Sequence, residues 1–186
     1  GTLTVTNREA KYEITVKANS ATATYDGKEH EAVGVETYEF TVEGNSYTVS
    51  GLSTEDPKQK DAGSYTNNIT GTPVVTDKEG NVVTSEFEVK TENGSLEIGK
   101  AAVTLKSATL SKKYDGNALV NGDTALEVES GFAEGEGATY NFTGSQTVVG
   151  SSANAFSYEL NGNTNIDNYE ISKQEGTLTV TNRDAK

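Results

Sequence analysis

The chain contains no cysteine, no methionine and no tryptophan, and only one histidine and two prolines. Without cysteine there is no thiolate nucleophile, no Cys-ligated zinc and no disulfide staple. A single histidine builds neither a Ser-His-Asp triad nor a conventional transition-metal site. It is His30, in the polar stretch Lys28-Glu29-His30-Glu31, where a solvated side chain is expected. Positive charge is scarce as well: 15 Lys+Arg stand against 28 Asp+Glu, and a net charge of −13 argues against nucleic acid and anionic membrane as partners. Apolar runs are only a few residues long, too short to span a bilayer, and no N-terminal signal pattern opens the chain. Carboxylate-pair hydrolysis needs no histidine, but it needs a cleft with one acid in an apolar pocket, which domains under 90 residues rarely provide. The chain is therefore not expected to be an enzyme.

What is present is a strand-and-turn vocabulary of Val, Tyr, Thr, Ser, Asn and 19 Gly. Tyr12, Ile14 and Val16 alternate with Glu13, Thr15 and Lys17, and Val103 and Leu105 repeat the pattern, as half-buried strands do. Glu43-Gly44-Asn45 reads as the turn of one hairpin and Asp77-Lys78-Glu79-Gly80-Asn81 as the turn of another. Residues 53–60 are the one stretch expected to hold a helical turn. The fold class is all-β.

The chain repeats itself on two scales. Residues 1–11, GTLTVTNREAK, recur as GTLTVTNRDAK at 176–186, with ten of eleven positions identical at a spacing of 175. Within that spacing a weaker repeat pairs Tyr25-Asp26-Gly27 with Tyr114-Asp115-Gly116, and Gly63 and Asn67 with Gly150 and Asn154. Phe87, Gly94 and Leu96 pair with Tyr169, Gly176 and Leu178. Such self-similarity marks an array of modules. It implies an old duplication that made two unlike domains and a later copying of the pair, with the array continuing on both sides of this fragment. The expected division is a final strand of a preceding repeat at 1–10, a first β domain at 11–99 and a second at 100–186. No Pro/Ser linker separates the two domains, so a short, rigid junction is expected.

The residues expected to matter are structural. Tyr25, Asp26, Gly27, Tyr114, Asp115 and Gly116 form the two tight turns, each tyrosine a core anchor whose hydroxyl bonds backbone. Leu178 and Val180 sit in the closing strand. One loop offers oxygen ligands in alternation, making Asn163, Asn165 and Asp167 candidates for calcium. It lacks the closing bidentate Glu of an acidic calcium loop and reads equally as a run of Asx turns, so no cofactor is expected.

The stretches Ile14–Gly27, Lys113–Gly116, Gly150–Asn154 and Asn168–Val180 together resemble the tandem YDG or MBG repeat domains of large bacterial cell-surface adhesins, which are similar to units of mucus-binding proteins. The resemblance covers both domains. It implies two tandem elongated β domains, β-grasp-like or immunoglobulin-like, on an extracellular bacterial surface, anchored to the cell wall or the outer envelope. It further implies a monomeric stalk module that projects a distal binding region and has neighbouring copies of the repeat as its partners. The alternative is that each repeat is a weak glycan- or mucin-binding module acting by avidity. Domains of this kind can carry Lys–Asn isopeptide crosslinks, but the alternation sends Lys17 and Lys106 outward, away from the buried face such chemistry requires.

Overall fold

In a computed structural model that describes residues 1–6 and 8–184, the chain is all-β, with 54% of it in strands and no α-helix among the described residues. It divides into two compact units: Gly1–Ala23 with Lys28–Ile98, and Thr24–Gly27 with Gly99–Lys186. The four residues Thr24–Gly27 therefore belong to the second unit although they lie inside the sequence of the first.

The first unit runs β1 Tyr12–Lys17, β2 Ala21–Thr24, β3 His30–Glu31, β4 Glu39–Val42, β5 Asn45–Thr54, β6 Lys58–Gln59, β7 Gly63–Asn67, β8 Ile69–Asp77, β9 Phe87–Glu92 and β10 Gly94–Gly99. β1 pairs with β9 in parallel, Tyr12 opposite Phe87. β4, β5 and β8 form an antiparallel sheet, with a bulge between Ser50 and Leu52, and β10 lies between β2 and β7. The alternating apolar residues of these strands meet in one cluster: Ile14 and Val16 of β1, Val49 of β5, Val75 of β8 and Phe87 of β9. Burying each such side chain contributes about 1.5–3 kcal/mol, which is what commits the alternating face inward.

The second unit follows with β11 Ala101–Lys106, β12 Leu110–Lys113, β13 Leu119–Val120, β14 Val128–Ser130, β15 Ala138–Phe142, β16 Ser145–Gln146, β17 Gly150–Ala153, β18 Phe156–Leu160, β19 Tyr169–Gln174 and β20 Thr177–Thr181. Its pairings echo the first unit: β11 parallel to β19, β20 between β12 and β17, β13 with β16, and β15 with β18. Val103, Leu105, Leu178 and Val180 are at most 1% exposed. One pairing departs from the echo. β14 adds to β11, whereas in the first unit β4 adds to β5.

One expectation is corrected. Residues 53–60 hold no helical turn: β5 continues to Thr54, and Lys58 and Gln59 pair with Glu31 and His30. Pro57 disfavours the helical region at the residue before it, and Asp56 sits at φ 51, held by Gly34 N–H and the Thr54 hydroxyl on its carboxylate. Residues 1–6 form no strand, and Leu3 and Val5 are each 99% exposed. The identical residues at 176–181 fold because β12 and β17 flank them, whereas residues 1–6 meet no strand edge.

The two repeated asparagines are fully buried but served differently. Asn67 donates to Asn19 and Gly34 carbonyls and accepts the Asp56 N–H at 3.0 Å. Asn154 donates to the Ala108 carbonyl and to Asn121 Oδ1, while its own Oδ1 has no partner. The residue that serves Asn67 lies in the 53–62 stretch, which the second unit lacks.

Candidate functional site

A polar cluster of the second unit forms around Tyr25. Its backbone N–H donates to Gly99 O at 2.8 Å as the chain leaves β2, and Gly27 completes the turn at φ 77, a conformation open to glycine. A side chain on Gly27 would also meet Ala133 Cβ at 3.2 Å. The Tyr25 ring, 4% exposed, stands edge-on to Tyr169 at 5.3 Å, and Tyr169 meets Phe132 edge-on at the same distance. Such edge-to-face pairs add about 0.5–1.5 kcal/mol each beyond area burial.

Both phenols converge on one carboxylate. Tyr25 donates to Glu136 Oε1 at 2.5 Å, and Tyr169 donates to Glu136 Oε2 at 2.6 Å. The Tyr169 hydroxyl in turn accepts the Ala133 N–H at 2.9 Å, and the buried Asn168 side chain hydrogen-bonds Tyr25. Glu136 is placed by its own turn, its N–H on Ala133 O, and by the next residue, whose N–H is held by the Thr164 hydroxyl. Burial first, and then the bond to Glu136, raises both phenols; Tyr169 is pushed up to about 12. At neutral pH both therefore stay protonated and serve as donors. Both Glu136 oxygens are thus engaged, each by one phenol.

Of the expected residues, the structure thus brings Tyr25 and Gly27 into this cluster, and the Tyr25 hydroxyl finds a carboxylate where a backbone partner was expected. Tyr114 is not a core anchor: it is 40% exposed. It keeps the backbone bond, N–H to Thr181 O at 2.9 Å, but lines a surface cleft with Lys113, Asp115, Gly116, Arg183 and Asp184. Asp115 accepts from Lys112 at 2.8 Å and from Asn117 N–H, which hold its carboxyl below the usual range. Leu178 and Val180 lie in the core at 0% and 1% exposure.

The calcium candidates lie in a turn leading to a single 3-10 turn, Ile166–Asn168. Asn165 Oδ1 caps that turn by accepting Asp167 N–H at 3.0 Å, and the Asn163 amide donates to Gly135 O at 2.8 Å. Among the described residues no group of three or more His, Cys, Asp or Glu is placed to hold a metal. Lys17 and Lys106 pair with Glu92 and Glu127, each at 3.1 Å. His30 lies in β3, opposite Gln59.

No family model, no curated protein and no solved structure matches the chain. Sequence reasoning missed Phe132, Ala133, Glu136 and Asn168. The one available signal was the pairing of Phe87 with Tyr169, a repeat position at which one copy gains a hydroxyl.

Proposed function

We propose that the chain is a structural, non-enzymatic stalk module of a repetitive bacterial cell-surface adhesin, carrying a distal binding region away from the envelope. The observation that carries this reading is the nested repeat, a duplicated domain inside a 175-residue unit whose ends are near-identical. The partition of the fold supports it, because the second unit includes a turn drawn from within the first unit's sequence. The parallel pairing of β1 with β9 and of β11 with β19 favours the β-grasp-like form of the domain, without its helix. Neighbouring copies of the repeat are the partners, and extracellular placement follows from the resemblance.

Small-angle scattering on this chain and on one extended by a 175-residue unit tests the reading. The maximum dimension should grow in proportion to copy number. A chain that folds back on itself overturns it and makes the avidity reading the one to test, by glycan-array binding.

A further inference from the structure

Strand registers align the two units where the sequences have drifted. Tyr47 opposite Asp77 and Val49 opposite Val75 correspond to Tyr140 opposite Tyr158 and Phe142 opposite Phe156. Four residues before Tyr47 lies Glu43, and four before Tyr140 lies Glu136. In the same way Tyr12 opposite Phe87 corresponds to Ala101 opposite Tyr169. Each unit therefore has one resident tyrosine that donates to the equivalent carboxylate: Tyr169 to Glu136 at 2.6 Å, and Tyr12 to Glu43 at 2.7 Å. The resident has changed strands within one parallel pair, from β19 in the second unit to β1 in the first.

The second oxygen differs. In Glu136 it takes the visiting Tyr25. In Glu43 it faces the Arg8 guanidinium, 4.0 Å away, and the side chain is 68% exposed. The first unit thus holds a carboxylate with one phenol where its counterpart holds two.

The identity of a second phenol follows from the shared segment. Arg183, in the C-terminal copy of GTLTVTNR, lines the cleft of the exposed Tyr114 turn. Its counterpart Arg8, in the N-terminal copy, lies 3.9 Å over the Tyr12 ring and places its backbone N–H on Glu86. One arginine of the repeat marks both an unfilled carboxylate and an exposed Tyr-Asp-Gly turn. Joining two copies through the shared segment makes Arg183 of one copy and Arg8 of the next the same residue. The charge of Asp115 does not oppose an approach of its turn to Glu43, because Lys112 answers it at 2.8 Å.

We propose that Glu43 and the resident Tyr12 form a half-filled socket whose ligand is the Tyr114-Asp115-Gly116 turn of a second copy of this sequence, joined in tandem through the shared segment. The inference rests on the array part of the reading above. It gives the Tyr114 turn a carboxylate seat of the kind that the Tyr25 turn has on Glu136.

The test compares the present chain with one extended at its C-terminus by residues 12–186 of the same sequence. With Tyr114→Phe in the second copy, so that the two copies give distinct peptides, nitration of Tyr114 in the first copy is followed by peptide mass spectrometry, with buried Tyr25 as the internal standard of folding. In the extended chain Tyr114 should react at least tenfold more slowly than in the single chain. Glu43→Asn in the second copy should restore the fast rate, since Asn suits the left-handed backbone at that turn (φ 49) but is too short to reach the phenol. Equal reactivity of Tyr114 in the single and extended chains, with Tyr25 protected in both, overturns the proposal. Scattering on the same samples separates it from the stalk reading. An extended chain that lengthens while Tyr114 stays reactive removes the joint alone, and one that protects Tyr114 without lengthening supports the joint and removes the stalk.

Discussion

Tyr25 and Tyr114 open the same three-residue turn, and the backbone treats them alike, anchoring their N–H groups on Gly99 and Thr181 at 2.8 and 2.9 Å. Their side chains diverge, one 4% and the other 40% exposed. The difference teaches that Tyr-Asp-Gly encodes a turn and nothing more. Whether its tyrosine becomes core is decided by residues far away in sequence, here Glu136 and Tyr169, 111 and 144 positions on from Tyr25. The same holds for the two copies of GTLTVT: identical residues give a buried strand at one end and an exposed segment at the other, because strand edges exist at only one of them.

The widest contrast should come from that last pair. Leu178→Ala is expected to cost about 2–5 kcal/mol by leaving a core cavity, while Leu3→Ala, in the same local sequence, should stay within about 0.5 kcal/mol, both read by urea denaturation. Next, Gly27→Val should cost roughly 3 kcal/mol or more, because strain at positive φ adds to the close approach of Ala133, whereas Gly116→Val, at φ 85 in open space, should cost only about 1–3 kcal/mol for strain. Equal losses at the two glycines would break the claim that only the first turn is packed. Removing one hydroxyl is subtler: Tyr25→Phe should destabilise by about 1.5–3 kcal/mol through a lost bond to a charged group, and Tyr114→Phe should change the urea midpoint hardly at all.

The buried asparagines sharpen the comparison further. Asn67→Ala should cost about 1 kcal/mol more than Asn154→Ala, because only Asn67 has its carbonyl satisfied. The smallest effect is on pH dependence. The ordinary phenol value is 10.0, and Tyr169 is pushed up to about 12 in the fold. A folded value above the unfolded one means that the contribution is complete below about pH 10 and is lost as pH rises through about 12. The Tm should fall across that interval, and Tyr169→Phe should flatten the fall.

Local pattern carried some of this fold and contact between distant strands carried the rest. The alternation at Tyr12, Ile14 and Val16 and at Val103 and Leu105 is legible because a half-buried strand shows its period in five residues. The Glu43-Gly44 turn is legible for the same reason. Parallel pairing of β1 with β9 is not, since the partners are 75 positions apart and nothing in either strand names the other. Residues 53–60 misled because Pro57 and its acidic neighbours imitate a helix start, while the residue that decides their path, Asp56, is held by Gly34 and Asn67 from other elements. Glu136 was invisible for a simpler reason. Within Glu134-Gly135-Glu136-Gly137 it reads as a solvated loop acid, and its role exists only once two tyrosines from elsewhere arrive.

The parallel register of β12 with β20 and of β11 with β19 bears on force. When a chain is pulled from both ends, the opening strand of the second unit is drawn by its N-terminal end and the closing strand by its C-terminal end. The opening strand β11 lies parallel to β19 and the closing strand β20 parallel to β12, and parallel strands tugged in opposite senses slide past one another, so their hydrogen bonds share the load together instead of unzipping one after another. The second unit should therefore yield in single-molecule pulling at higher force between its termini than when its antiparallel pair, β15 with β18, is peeled open from one end.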